Sequence, residues 1–82
     1  MPYIKKENRI KISPFVDNLF DKLETKGDFN FAISLLIQKL IKREGCNYSN
    51  LNDAIGILEC VKQEFYRKIV APYEEIKENG DI

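Results

Sequence analysis

Between Gly45 and Pro72 the chain carries one uninterrupted amphipathic stretch, SNLNDAIGILECVKQEFYRKIV, from Ser49 to Val70. Leu51, Ile55, Leu58, Phe65 and Ile69 recur at intervals of three, four and seven, the spacing of one face of an α-helix, and Ala54, Ile57, Val61 and Val70 broaden the stripe. At 1.5 Å per residue this helix spans roughly 33 Å, about the diameter of a small domain. A chain of 82 residues must therefore arrange everything else to cover it. Ser49 or Asn50 is the expected N-cap, with Asp53 in the first turn favouring the helix dipole. Pro72 lacks the N–H that would continue the helix, so the chain is expected to bend near Ala71. A short acidic tail then covers residues 71–82, with at most one helical turn from Tyr73 and a turn at Asn79 and Gly80.

Upstream the same analysis predicts two more helices. Ser13 before Pro14 reads as a helix start, because the hydroxyl can cap and proline at the first position gives up a donor that has no partner. Phe15, Val16, Leu19, Phe20 and Leu23 then share one face of a helix over about 14–25, closed by Gly27. The second helix, over about 28–44 with Asp28 as its cap, is apolar on most sides: Phe29, Phe31, Ala32, Ile33, Leu35, Leu36, Ile37, Leu40 and Ile41. Such a helix should be buried on most sides. Its short connection to the first helix predicts antiparallel packing of the two, and Gly45 ends it, with Lys42 and Arg43 at its negative dipole end. Residues 1–12 are expected to form an arm along the body. The fold class is thus all-α: a single domain over residues 1–82, built as a small three-helix bundle with an N-terminal arm and an acidic C-terminal tail. A chain this short buries little more than half of the surface it exposes when unfolded. The over-apolar second helix therefore points to a helical homo-oligomer.

The formal net charge is zero, from 13 basic and 13 acidic residues, which argues against a protein whose main work is gripping nucleic-acid phosphates. The charge is segregated all the same. Residues 1–12 carry Lys5, Lys6, Arg9 and Lys11 against Glu7, and residues 73–82 carry Glu74, Glu75, Glu78 and Asp81 against Lys77. Cys46 and Cys60, with no signal segment and no long apolar run, suggest a reducing, cytoplasmic setting and no membrane partner. With no histidine and no cysteine pair at ligand spacing, no metal or other cofactor is expected.

Several residues stand out. Gly56 costs about 1 kcal/mol inside a helix relative to alanine, and with Cys60 four residues on it offers a groove where another helix can approach closely. Glu59, Lys62, Gln63 and Tyr66 fall at i, i+3, i+4 and i+7 on one face. Together they suit a polar small molecule or an interface, and equally an ordinary solvated face. Arg67 and Lys68 make the following turn cationic, and Tyr73 adds a ring. Asn30, between Phe29 and Phe31, either satisfies free N–H groups in a first turn or touches a ligand or neighbour. No nucleophile signature or glycine-rich phosphate loop is present, so no enzyme and no catalytic residue is expected.

The opening MPYIKKENR, the stretch GDFNFAIS and the ending NDAIGILECVKQEFYRKIVAPYEEIKENGDI resemble an uncharacterised family of small bacterial, archaeal and phage proteins. These begin MPYI and end in a run like EFYRR-x-x-APYE followed by NGD. Matching positions include Asn30, Asn52, Gly56, Glu59, Lys62, Glu64, Tyr66, Arg67, Pro72, Tyr73, Glu74, Asn79, Gly80 and Asp81; Lys68 and Phe31 depart from the pattern, which favours arginine and tyrosine there. The resemblance implies no activity.

The functional expectation is a non-enzymatic homo-oligomeric binding protein. Asn30, Glu59, Lys62, Tyr66, Arg67 and Tyr73 would form its ligand or interface surface, with cations for phosphate and rings for stacking a base. Its partners would be other copies of itself and a nucleotide-like anion or a host protein. In a phage setting it would sequester such a ligand or inhibit a host defence component. The alternative is a protein–protein adaptor with no small-molecule ligand.

Overall fold

The computed structural model describes residues 4–80, and among these the regular structure is entirely helical. Helix α1 is Lys6–Lys22, α2 is Lys26–Glu44, α3 is Tyr48–Phe65, a π-helical turn follows at Tyr66–Val70, and α4 is Ala71–Gly80. The all-α class therefore stands. The chain divides into two units, Met1–Leu40 and Ile41–Ile82, with the boundary inside α2.

In the first unit, residues 6–12 are not an arm. They are the first two turns of α1, with Lys5 at the N-cap position, and only residues 1–3 lie outside the described part. Pro14 sits inside the helix, where it forfeits the bond that its N–H would make to Ile10. Ser13 caps nothing and donates its hydroxyl to the carbonyl of Arg9 at 2.7 Å, the back-bonding that serine offers inside helices. The helix-forming run KKENRIKI upstream evidently outweighs the single bond lost at proline. α1 ends at Lys22, where the Leu23 N–H donates to Phe20 at 3.0 Å.

Gly27 does not close α1; it lies in the first turn of α2. Thr25 is the reason. Its Oγ1 accepts from the Asp28 N–H at 3.1 Å, while Asp28 Oδ2 accepts from the N–H groups of Thr25 at 3.1 Å and Glu24 at 2.9 Å. This reciprocal capping box starts α2 two residues earlier than Asp28. Near the corner the Phe20 and Phe29 rings meet edge to face, with centroids 5.8 Å apart. Apart from that contact the two helices do not run side by side within residues 4–40, so the expected antiparallel packing is not formed.

In the second unit, Gly45 closes α2 with φ of 111°, a left-handed conformation that glycine adopts without strain. Asn47, rather than Ser49 or Asn50, caps α3: its Oδ1 accepts from the Asn50 N–H at 2.9 Å. The earlier start at Tyr48 moves Asp53 beyond the first turn. Asn50 instead turns its amide back, donating to the carbonyls of Glu44 at 3.1 Å and Gly45 at 3.0 Å. Pro72 does not end the helix, nor do Asn79 and Gly80 form a turn. The chain widens into the π turn at Tyr66–Val70 and continues helically to Gly80. The Ala71 N–H reaches five residues back to Tyr66. An extra residue in the turn before proline takes the Lys68 carbonyl out of the path of the ring.

Little is buried. Ala54, 4% exposed, is the one buried residue among those described. No residue of α1 or α2 is buried, and Phe15 (74%), Phe31 (66%) and Ile76 (70%) lie largely in solvent. No helix among the described residues is long and apolar enough to cross a membrane.

Candidate functional site at the π turn

α3 runs directly into the π turn, and the sequence-predicted polar face lies at this junction. Glu59 is its hub: Oε1 accepts from Gln63 Nε2 at 2.9 Å and lies 3.8 Å from Lys62 Nζ. Both partners follow from helical spacing, at i+4 and i+3. All three side chains are exposed, so the cluster is a solvated surface with fixed directions and little energy of its own.

One turn further on, the Tyr66 N–H is shared between the carbonyls of Lys62 and Gln63, the mark of a helix changing pitch. The Tyr66 phenol, half exposed, donates to Glu74 Oε2 at 3.3 Å. Lys68 donates to Glu64 at 2.6 Å beneath it. This bond, reinforced by the charges of Lys68 and Arg67 against a smaller opposing desolvation, holds the Glu64 carboxyl below its ordinary pKa. Arg67 is exposed and has no ion pair among the described residues of this unit. Tyr73 is exposed too, with the Lys77 ammonium 5.8 Å from its ring centroid, within cation–π range.

The structure thus places Glu59, Lys62, Tyr66, Arg67 and Tyr73 on the one continuous helical segment of residues 48–80. Asn30 is exposed on α2 and belongs to the other unit. The residue that sequence analysis missed is Glu74. Its signal was an apolar pattern that continues past Pro72 at helical spacing, through Ile69, Tyr73 and Ile76. Chemically the segment carries Lys62, Tyr66, Arg67 and Tyr73 exposed along its length, with Lys62 beside Glu59, Tyr66 bonded to Glu74 and Lys77 against the Tyr73 ring.

A second concave feature lies on the other unit. Along one side of α1 a shallow, solvent-open depression of about 780 Å³ is lined by Ile4, Lys6, Arg9, Ile10, Pro14 and Asp17.

The chain belongs to the family described as a domain of unknown function, DUF6899, whose model matches residues 1–82. No curated protein and no solved structure matches it.

Proposed function

We propose that the protein is a non-enzymatic homo-oligomeric binding protein, whose helices complete a bundle only with other copies of the chain. One observation carries this reading: Ala54 is the one buried residue among those described, while twenty-three large apolar or aromatic side chains are exposed. Full burial of one such side chain is worth about 1.5–3 kcal/mol, and a whole domain is stable by only about 5–15 kcal/mol. They are 36–81% exposed, so the burial still open to them, taken at about half of that figure each, exceeds the stability of a typical domain. Self-association is the most economical cover for a short chain with a neutral net charge.

The binding surface in this reading is the π-turn segment. Lys62 and Arg67 supply charge for phosphate, Tyr66 and Tyr73 supply rings, and the Tyr66–Glu74 bond orients one of those rings. The ligand class is a nucleotide-like anion. Native mass spectrometry of the freshly purified protein tests both parts. A discrete oligomer carrying a constant extra mass per site supports the reading, and loss of that mass on Lys62→Ala, Tyr66→Ala and Arg67→Ala assigns the site. A bare monomer transfers the exposed faces to a larger protein partner, the adaptor alternative.

A further inference from the structure

The charges of α1 are sorted around its axis. At about 100° per residue, Phe15, Val16, Leu19 and Phe20 fall within about 80° of Ile12, and all of these side chains are exposed. Phe20 meets Phe29 only by a ring edge. Lys5 at the N-cap, Asn8 and Arg9 continue this face toward the start of the helix, while Lys11 and Lys22 border it on one side and Lys6 on the other. The acids of the helix, Glu7, Asp17 and Asp21, stand about 140° or more from Ile12, with Ile10 and Pro14 on the same far side. Among residues 4–40 no ion pair engages any of these charges. An apolar strip with cations at one end and along both edges, and every acid of the helix behind it, matches a surface that is apolar beneath and anionic across its whole breadth.

We propose that α1 lies along an anionic lipid surface, with Ile12, Phe15, Val16, Leu19 and Phe20 entering the boundary between headgroups and acyl chains and Lys5, Lys6, Arg9, Lys11 and Lys22 meeting the headgroups. Helices of this kind bury their apolar face about 5–10 Å deep and gain from each cation held near anionic lipid. The stems of the edge lysines lie on the apolar strip while their ammonium groups stay in water. A protein groove would have to supply matched carboxylates along two opposite edges, whereas an anionic bilayer presents negative charge on every side of an embedded helix. Lying on a bilayer requires no spanning run, so the lack of a membrane-crossing helix among the described residues is compatible with it. The proposal does not rest on the homo-oligomeric reading: it leaves self-association to cover α2 and the helical segment from Tyr48 to Gly80.

Co-flotation of the full chain with vesicles tests it, comparing pure phosphatidylcholine with phosphatidylcholine carrying about one third phosphatidylserine. Binding to the anionic vesicles is expected to be at least about tenfold tighter than to the neutral ones and to weaken as salt rises from about 0.05 to 1 M. Phe15→Gln leaves the charge unchanged and is expected to weaken binding about tenfold. Ile10→Gln, also at an exposed position but on the far side of α1, is expected to leave it within about twofold. Replacing Lys5, Arg9, Lys11 and Lys22 together by Gln is expected to erase the preference for anionic lipid. Circular dichroism checks that each variant keeps its helicity, and Val16→Gln takes the place of Phe15→Gln should that one lose it. No binding to the anionic vesicles, equal binding to both lipids, or equal losses at Ile10 and Phe15 overturns the proposal. Light scattering on the same proteins separates it from self-association. If Phe15→Gln shrinks the oligomer and leaves vesicle binding unchanged, the face belongs to a second copy and the lipid proposal falls while the oligomeric reading stands. A monomer that binds anionic vesicles through this face overturns the oligomeric reading and leaves the lipid proposal standing.

Discussion

The phenol of Tyr66 and the carboxylate of Glu74 are hydrogen-bonded at 3.3 Å although eight residues separate them on one continuous helical segment. In a regular α-helix, residues seven apart are offset by only about 20° around the axis, but residues eight apart by about 80°. The π turn removes that offset. By taking up one extra residue between Tyr66 and Val70, it moves Glu74 into the angular position that residue 73 would otherwise hold. Proline 72 is thus the indirect author of this pair.

Pro72→Ala should therefore do two opposite things. It supplies the missing N–H and removes the ring, so the turn is expected to relax to α-helix and the segment to gain up to about 3 kcal/mol, read from denaturant unfolding. The same change rotates Ile76 back into line with Leu58, Phe65 and Ile69 and separates Tyr66 from Glu74. Nuclear Overhauser contacts between those two side chains should disappear. Their persistence would show that the π turn does not depend on proline.

Gly56 has nothing within 4 Å of where a Cβ would stand. Gly56→Ala is thus expected to raise the helicity of α3 by about 1 kcal/mol and, if a second copy crosses closely there, to shift the oligomer toward smaller species. A variant that gains stability and keeps its full mass in light scattering places the crossing elsewhere.

At the start of α2, the N–H groups of Glu24 and then Thr25 hold the Asp28 carboxyl below its ordinary pKa. A carboxylate with a depressed folded pKa contributes stability that is fully present above its unfolded value, near 4, and lost as pH falls through the folded value. Amide spectra of residues 24–30 should therefore be constant from neutral pH down to about 4 and change below it. Asp28→Asn should abolish that acid transition, and Thr25→Ala should cost about 1 kcal/mol at neutral pH.

The corner between α2 and α3 offers a paired comparison. Asn50→Ala removes two amide donations to the carbonyls of Glu44 and Gly45 and is expected to cost about 1–3 kcal/mol. Ser49→Ala, one position earlier and exposed, should fall within about 0.5 kcal/mol of the natural chain. Hydrogen exchange at residues 41–51 would rank them.

The helical class was legible because apolar spacing and the glycine at 45 agree with each other. What misled was proline. Both Pro14 and Pro72 carry the usual signals of a boundary, yet each lies within a longer helical pattern, and one lost hydrogen bond is smaller than the many that continuation adds. The caps of α2 and α3 were misassigned by two or three positions for a related reason. Thr25 and Asn47 compete with equally plausible neighbours, and only the reciprocal bonds of Thr25 with Asp28 and the donations of Asn50 to Asn47, Glu44 and Gly45 decide between them. Of the site, Glu59, Lys62 and Tyr66 follow from helical period alone. Glu74 does not, because a π turn changes the period itself.

The two corners, at Thr25–Asp28 and at Gly45–Asn50, are each held by groups no more than six residues apart. Contacts so local close in microseconds or less, far faster than two chains meet at ordinary concentrations. On the proposed self-association, refolding should accordingly separate into a fast, concentration-independent rise in helicity and a slow phase whose rate scales with protein concentration. In a cell, a newly made chain would then wait in a helical but uncovered state whose lifetime is set by how many copies surround it.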